Sequence, residues 1–294
     1  MGALNLVGTW DVDAGAAGVI RIEPGSKTET VEVVGPETRS FAWASVTKPV
    51  TALAVLVAVE EGTLSLDLAA GPPGSTIRHL LAHASGLAPD VAPGLGSTPP
   101  GQGPEPGTRR IYSNLGYELL AEAVAEHSGM PFHDYVAAAV FEPLGMSSTG
   151  FAPRPGDSVP GNSGAAAGLV GPLRDLLAVT AEWSAPTVIS PETHALARSV
   201  AFPGLAGVLP GFGRFDPCDW GLGVEIRGHK QPHWTGTLNS PRTFGHFGQS
   251  GSFFWVDPEA GLACAGLADR AFGPWAIDAW PMLSDALLAE FEDQ

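Results

Sequence analysis

The hydrophobic pattern of the chain changes period along its length, with strand-like alternation near both ends and helical spacing between them. Alternating or β-branched runs predict β-strands at residues 18–22, 30–34, 220–226, 252–257 and 262–268. Pro24 and Gly25 supply a turn between the first two strands, and residues 258–261 supply a hairpin turn between the last two. The pattern therefore predicts strands from both termini.

Helical spacing dominates the middle of the chain and its last segment. It predicts helices at residues 77–84, 115–127, 132–141, 173–183 and 276–291. A further run, between Ser45 and Gly62, is apolar on all sides, which is typical of a buried helix. Because Pro49 is tolerated only in a first helical turn, this helix should begin near Ser45, and Gly62 should end it. Residues 88–107, rich in Pro and Gly, predict a long surface loop.

Strands at both termini with helices between them predict an α+β fold of two lobes. Residues 1–65 and 200–294 are expected to form a lobe with an antiparallel sheet that both termini build and helices flank. Residues 66–199 are expected to form an inserted, mostly helical lobe. The cleft between the lobes is the default place for a functional site.

Composition excludes some classes of function. With 15 Lys and Arg against 31 Asp and Glu, the formal net charge is -16 and no basic cluster offsets it, so nucleic acid is not an expected partner. No apolar stretch is long enough to span a bilayer, so no membrane partner is expected either. Residues 1–12 lack the pattern of a signal peptide, which predicts a cytoplasmic protein. Cys218 and Cys264 are interpreted as buried free thiols, and the oligomeric state stays open.

A serine three residues before a lysine stands at the start of the apolar helix. The i,i+3 spacing places Lys48 on the same helix face as Ser45, where its amine can approach the hydroxyl. Ser45 would also lie near free backbone N–H groups and the positive end of the helix dipole, which stabilise a developing oxyanion. The alternative is a helix-capping serine beside a solvated lysine, but an unpaired amine on a buried helix is costly.

Two further segments carry candidate chemistry. Tyr112, Ser113 and Asn114 directly precede a predicted helix, and by themselves they fit a half-buried tyrosine and an asparagine helix cap. His246 lies in a glycine-rich run at residues 245–251. So many glycines around one histidine indicate a backbone that another group approaches closely, or else a structural turn with a surface histidine.

These three elements, in this order, resemble the serine beta-lactamase and penicillin-binding protein superfamily. They are the SxxK serine and lysine, the YxN triplet and the HxG triplet on a late strand. The nearest branch is class C beta-lactamase-like, which includes esterases and D-amino-acid peptidases. Stretches at residues 79–87, 106–117, 143–146 and 221–223 resemble the same branch. The similarity runs from about Ile20 to Asp269 and implies a beta-lactamase/transpeptidase-like fold.

The resemblance implies a serine hydrolase that works through an acyl-enzyme. Ser45 would attack an acyl carbonyl, and Lys48, if kept neutral, would remove its proton. Tyr112 is similar to the residue that passes this proton to the leaving group, as a phenolate or through a hydrogen bond. Whether Lys48 or Tyr112 is the principal base stays open.

The same resemblance implies binding roles for other residues. Asn114 would orient Lys48 and the substrate through its amide. The backbone N–H groups of Ser45 and Gln249 would form the oxyanion hole. Gly248 would let the substrate lie against its strand, beside His246. No cofactor is implied.

His246 departs from the lysine that most beta-lactamases and cell-wall peptidases carry at this place. A histidine with a pKa of about 6.5 is only partly charged near neutral pH, so it should bind a substrate carboxylate less well than lysine does. The expected function is therefore a carboxylesterase with a small-molecule acyl substrate. The alternatives are a D-alanyl or D-amino acid peptidase, a weak beta-lactamase, and an acylated binding or sensing module without turnover.

His79 and His83 lie four residues apart, a spacing that also occurs in zinc enzymes. The general-base glutamate of an HExxH motif is missing and no third ligand is evident, so no metal site is expected. The two histidines are expected to end their helix and to form hydrogen bonds within the helical lobe.

Overall fold

The structure is a computed structural model that describes residues 2–23, 27–89, 103–153 and 163–292. The predicted turn at Pro24 and Gly25 and most of the predicted loop at 88–107 lie outside these residues. Within the described ranges, no helix combines the length and the apolar character that crossing a membrane requires.

One antiparallel sheet joins the two ends of the chain. The strands are β1 (Gly15–Glu23), β2 (Lys27–Val34), β3 (Phe41–Ala42), β4 (Gly150–Phe151), β5 (Leu169–Gly171), β6 (Gly207–Leu209), β7 (Gly213–Phe215), β8 (Glu225–Ile226), β9 (Phe244–Gly248), β10 (Ser252–Asp257) and β11 (Leu262–Ala268). Six of them form a sheet in the order β2-β1-β11-β10-β9-β8, with every neighbouring pair antiparallel. The predicted α+β fold, with a sheet from both termini, is confirmed.

The helices account for most of the predicted helical segments. They are α1 (Thr47–Glu60), α2 (Ile77–Leu81), α3 (Asn114–Ser128), α4 (Phe132–Val136), α5 (Leu173–Ser184), α6 (Pro191–Ala197) and α7 (Pro274–Glu292). The predicted helix at 132–141 changes to a π turn at Ala137–Phe141. The hydrophobic pattern missed α6, although Ser190 caps its first turn and Pro191 opens it.

The apolar helix α1 is buried, as its composition predicts. Every residue from Thr47 to Ala58 is inaccessible or nearly so. The chain enters α1 through a 3-10 turn at Ala44–Val46, so Ser45 lies just before the α-helix rather than inside it. Gly62 follows α1 with a φ of +77°, a left-handed conformation that favours glycine after a helix.

The predicted strand at 220–226 is wrong over most of its length, because only β8 is extended there. Two glycines turn the chain before it. The N–H of Gly221 donates to the carbonyl of Val224 at 2.9 Å, and Gly223 has a φ of +104°. A Cβ at Gly223 would lie 2.2 Å from the Cβ of Ala52, so glycine also lets this turn pack directly on α1.

Both faces of the central sheet are covered, because successive strand residues point to opposite sides. On β10, Phe254 and Val256 join one hydrophobic core, whereas Phe253 and Trp255 join another. The first core includes α1 and α5, and the second includes α7 and a 3-10 helix at Ala3–Thr9. Although α5 belongs to the segment 66–199, it contacts β1, β10 and β11. The division into a sheet lobe and an inserted lobe stays a prediction.

A buried ionic cluster supports the edge strand β8. The carboxylate of Glu225 lies 2.6 Å from Lys230 Nζ and 3.0 Å from His233 Nε2, and it accepts a hydrogen bond from Trp234 Nε1 at 3.1 Å. Burial alone would raise the pKa of Glu225, but the charge of Lys230 and the contact with His233 lower it to about 2. The ionised carboxylate therefore ties residues 230–234 to β8.

Replacing this carboxylate should give a destabilisation that fades in acid. Because the folded pKa of Glu225 is depressed below the unfolded value of 4.5, its contribution is complete above pH 4.5 and is lost as pH falls through about 2. We expect Glu225→Gln to lower the free energy of unfolding by about 3 kcal/mol at pH 7, and by progressively less from pH 5 to pH 3. Urea unfolding, with exposed Glu259→Gln as control, measures this. An equal loss at every pH would contradict the account.

Candidate active site

Ser45 lies in a strained turn between β3 and α1. The preceding residue, Ala44, has a φ of +44°, which is unfavourable for a residue other than glycine and persists only when the surroundings hold it. The surroundings do so through Trp43. Its carbonyl accepts a hydrogen bond from Ser252 Oγ at 2.6 Å, and its indole Nε1 donates to the carbonyl of Gly171 at 3.1 Å. The serine hydroxyl is thus presented from a turn that the sheet anchors.

Lys48 is completely buried behind this serine. Its Nζ lies 3.4 Å from Ser45 Oγ and donates hydrogen bonds to Asn114 Oδ1 at 2.6 Å and to the carbonyl of Ala166 at 2.8 Å. A buried amine requires such acceptors, because its desolvation is otherwise uncompensated. The alternative of a solvated lysine is therefore wrong.

Tyr112 and Asn114 come to the same place from the segment that enters α3. The centre of the Tyr112 ring lies 4.6 Å from Lys48 Nζ. Asn114 does not cap α3, because Ser113 fills that role by accepting a hydrogen bond from the N–H of Gly116 at 3.2 Å. The amide of Asn114 is therefore available for Lys48. The serine, amine and phenol ring named from the sequence converge in the structure.

His83 forms the hydrogen bond within the segment 66–199 that the sequence predicted, and it positions the residues that carry Tyr112, a role that the sequence did not predict. The N–H of Ser113 donates to His83 Nδ1 at 3.1 Å, the N–H of Ile111 donates to the His83 carbonyl at 2.8 Å, and the His83 ring lies 4.5 Å from that of Tyr112. Burial, followed by the charge of Lys48, keeps the pKa of His83 well below its usual value, so Nδ1 can accept. The signal available in the sequence was that His83 lies within a stretch shared with the resembled family.

His246 is buried on β9 and is neutral, which corrects the expectation of partial charge. Burial, followed by the positive charge of Lys48, lowers the pKa of His246 to about 3. Its Nδ1 lies 2.8 Å from the carbonyl of Phe247, which can only accept, so the proton resides on Nδ1. The other nitrogen, Nε2, is left as an acceptor without a partner among the described residues. His246 lines the cavity in front of Ser45.

Gly248 ends β9 beside the serine, and Gln249 follows it. A Cβ at Gly248 would lie 2.4 Å from the carbonyl oxygen of Trp43 and 3.1 Å from the backbone nitrogen of Ser45. The glycine therefore lets β9 approach the turn that carries Ser45, a close approach of the kind that the glycine-rich run predicts. Gln249 comes next and lines the cavity together with Ser45.

A cavity of about 730 Å³ opens in front of these residues, a size that suits a small-molecule ligand. Much of its wall is apolar, and the residues concerned are Pro89, Ile111, Ala206, Val208, Leu209, Pro210, Trp220 and Phe247. Ser45, Tyr112, Asn114, His246 and Gln249 lie in the wall, whereas Lys48 and Gly248 lie behind it. Across the part of the chain that the structure describes, no group of three or more acidic, histidine or cysteine side chains could hold a metal ion.

A family profile and a solved structure each match most of the chain. A profile of the family described as Beta-lactamase matches residues 25–286. The crystal structure of a beta-lactamase from Mycobacterium bovis superposes with a TM-score of 0.88 at 50% sequence identity, over 98% of this chain and 99% of that one.

Two curated relatives match over shorter stretches. A penicillin-binding protein of Bacillus subtilis is 34% identical in an alignment of 134 residues that covers 37% of this chain and 30% of that protein. Esterase EstB of Burkholderia gladioli is 35% identical in an alignment of 149 residues that covers 38% of each protein. The chain thus matches well under half of the length of these two relatives.

Removing the ring of His83 should have a larger effect on the catalytic rate than on the thermal stability of the fold. We expect His83→Ala to reduce kcat by about tenfold to a hundredfold, because Tyr112 loses both a backbone anchor and a ring contact. His83→Asn should recover much of that loss, since asparagine offers an acceptor oxygen and tolerates the positive φ of +54° at this position. Steady-state kinetics and thermal unfolding of both variants test this. Equal activity in the Ala and Asn variants would show that the ring nitrogen is not what matters.

Proposed function

Because this chain belongs to the beta-lactamase family and is a serine hydrolase of that family, we propose that it is a carboxylesterase acting on small esters. Ser45 Oγ attacks the ester carbonyl and the alcohol departs, which leaves an ester between the acyl group and Ser45. Water then attacks that ester, releasing the carboxylic acid and restoring the serine hydroxyl.

The observation that carries this proposal is the contact between Ser45 Oγ and Lys48 Nζ at 3.4 Å, at the wall of a cavity. In its neutral form Lys48 takes the serine proton during attack. The phenol of Tyr112, whose ring lies 4.6 Å from Nζ, is suited to pass that proton to the departing alcohol. Either group can serve as the principal base, and the proposal holds for both.

The oxyanion is assigned to the backbone N–H groups of Ser45 and Gln249. Both residues line the cavity, and Gly248 brings β9 close to the Ser45 nitrogen. Backbone donors held in this way stabilise a tetrahedral intermediate without reorganising. Asn114 Oδ1 accepts a hydrogen bond from Lys48 Nζ at 2.6 Å, which fixes the position of the amine.

The neutral His246 favours an ester over a penicillin. A lysine at this place would offer a fixed positive charge to a carboxylate beside the reacting bond. His246 instead is uncharged, and its buried Nε2 is bonded to no described residue, so the histidine presents no cation to a substrate carboxylate. The match to Esterase EstB supports the same choice.

Hydrolysis of beta-lactams is the second candidate. It is favoured by the match at 50% identity, over nearly the whole of both chains, to a protein described as a beta-lactamase. It would use the same Ser45 acyl-enzyme. Turnover of a chromogenic cephalosporin faster than of any small ester would move this candidate to first place.

Replacing the nucleophile should abolish turnover and leave the fold intact. We expect Ser45→Ala to lose at least about a thousandfold in kcat on p-nitrophenyl esters while its unfolding transition stays unchanged. Intact-mass measurement of the wild-type protein, quenched during turnover, should detect an added acyl group that the variant lacks. Esterase activity that persists in Ser45→Ala refutes the assignment, and labelling without release would instead indicate a binding module.

Adding charge at position 246 should shift the preference towards anionic acyl compounds. We expect His246→Lys to bind benzylpenicillin about fivefold more tightly, because one cation then faces the substrate carboxylate near Ser45. His246→Gln, which stays neutral, is the matched control. Acylation rates as a function of penicillin concentration measure the change. If neither variant alters the affinity, the proposed role of residue 246 in charge preference is wrong.

A further inference from the structure

We propose that Arg109 and Arg214 form a second binding site in the cavity, which holds a carboxylate at the end of the substrate remote from the reacting bond. The inference rests on the proposed esterase function and adds a substrate class to it. Both residues line the cavity that contains Ser45 and His246. Neither arginine was singled out from the sequence.

The strand pairing places both arginines on one face. On the two-stranded sheet of β6 and β7, Val208 pairs directly with Arg214, so their side chains share a side. On the other edge of β6, Arg110 pairs with Gly207 in a parallel bridge. Arg109 comes directly before this bridge, outside the named strands, and extending the strand alternation back by one residue assigns it to the side of Val208. The cavity wall includes Arg109, Val208 and Arg214, together with Gly207, Leu209 and Arg110 from the opposite face.

Arg110 holds this arrangement in place from the opposite face. Its buried guanidinium donates hydrogen bonds to the carbonyls of Cys218 at 3.0 Å and Ala201 at 2.8 Å. A Cβ at Gly207 would lie 2.6 Å from the Cβ of Arg110, so glycine is what lets the two strands meet. The guanidinium of Arg110 is thus hydrogen-bonded to backbone carbonyls, whereas the side chain of the neighbouring Arg109 is exposed.

The spacing suits one carboxylate. Arg214 on β7 and the bridge at Arg110 flank β6 on its two edges, so the backbones of Arg214 and of Arg109, next to that bridge, are about 10 Å apart. Two arginine side chains can converge over that distance, and a guanidinium fork matches the two oxygens of a carboxylate. Arg109 precedes Tyr112 by three residues, so the Cα atoms of these two residues lie at most about 10 Å apart.

The charge of the cavity is opposite to that of the protein. The formal net charge is -16, yet both arginines are exposed and neither forms an ion pair with an acidic side chain of the described residues. Glu225 is the one acidic residue among those that line the cavity, and Lys230 at 2.6 Å matches its charge. Unpaired cations at the wall of an apolar cleft attract an anionic ligand locally.

The substrate class that follows is an ester with a free carboxylate separated from the ester bond by an apolar chain. A half-ester of a dicarboxylic acid carries the carboxylate on the acyl side. An ester of a hydroxyalkyl- or hydroxyaryl-carboxylic acid carries it on the leaving side. Both kinds of ester are compatible with the neutral His246 beside Ser45, because the substrate carboxylate lies at the end remote from the ester bond.

Two matched pairs of substrates test the proposal. On the acyl side, mono-p-nitrophenyl adipate is compared with its methyl ester. On the leaving side, p-(carboxymethyl)phenyl hexanoate is compared with its methyl ester. We expect kcat/KM to favour the carboxylate in one pair, mainly through KM, and the Arg109→Gln/Arg214→Gln double variant to lower that preference about tenfold. The pair that responds identifies which side of the substrate carries the charge.

Matched variants separate charge from folding. Arg214→Lys should keep part of the preference, and exposed Arg242→Gln, outside the cavity, should keep all of it. Added salt should weaken the preference of the wild type and not that of the double variant. The proposal is overturned if the wild type prefers neither carboxylate, or if the double variant retains the preference.

A binding experiment keeps this site testable apart from catalysis. Calorimetric titration of Ser45→Ala with mono-p-nitrophenyl adipate, with and without the two arginine substitutions, measures the carboxylate contact directly. Loss of affinity on removing the arginines supports the site even if no ester is turned over. Failure to turn over any ester would refute only the esterase function. Equal affinity in the two proteins, for this half-ester and for p-(carboxymethyl)phenyl hexanoate alike, overturns the site.

Discussion

The buried amine of Lys48 is the constraint on which the active site depends. A lysine without access to water must find acceptors, and it finds them in Asn114 on α3 and in the carbonyl of Ala166. Those contacts tie two separate parts of the chain to the first turn of α1. The same requirement holds Asn114 away from the capping role that it would otherwise suit, and leaves that role to Ser113.

The sheet maintains the strained backbone of Ala44, directly before the serine. The left-handed Ala44 costs free energy, and hydrogen bonds from the hairpin between β9 and β10 offset that cost. Ser250 and Ser252 reach the carbonyls of Ala42 and Trp43 at 2.6 Å each, and Gly248 leaves room for the approach. Since each face of the sheet packs on its own core, these anchors stand on a rigid support.

Electrostatics divide the cavity into two regions. Near the serine, burial and Lys48 keep His83 and His246 neutral, so the reacting end offers hydrogen bonds rather than a fixed cation from the histidines. Farther along the wall, Arg109 and Arg214 supply positive charge in a protein that is strongly acidic overall. A ligand would therefore be oriented by charge at one end and by hydrogen bonding at the other.

The sequence by itself determined the α+β fold, the buried helix α1 and the identity of the family, because period, apolar content and motif order are local or ordered properties of the chain. It also named Ser45, Lys48 and Tyr112, since the order of the motifs that contain them resembles that of the family. The tertiary structure decided the turn that replaced most of the strand at 220–226 and the neutrality of His246. These depend on packing against α1 and on burial near another charge, which involve residues far apart along the chain.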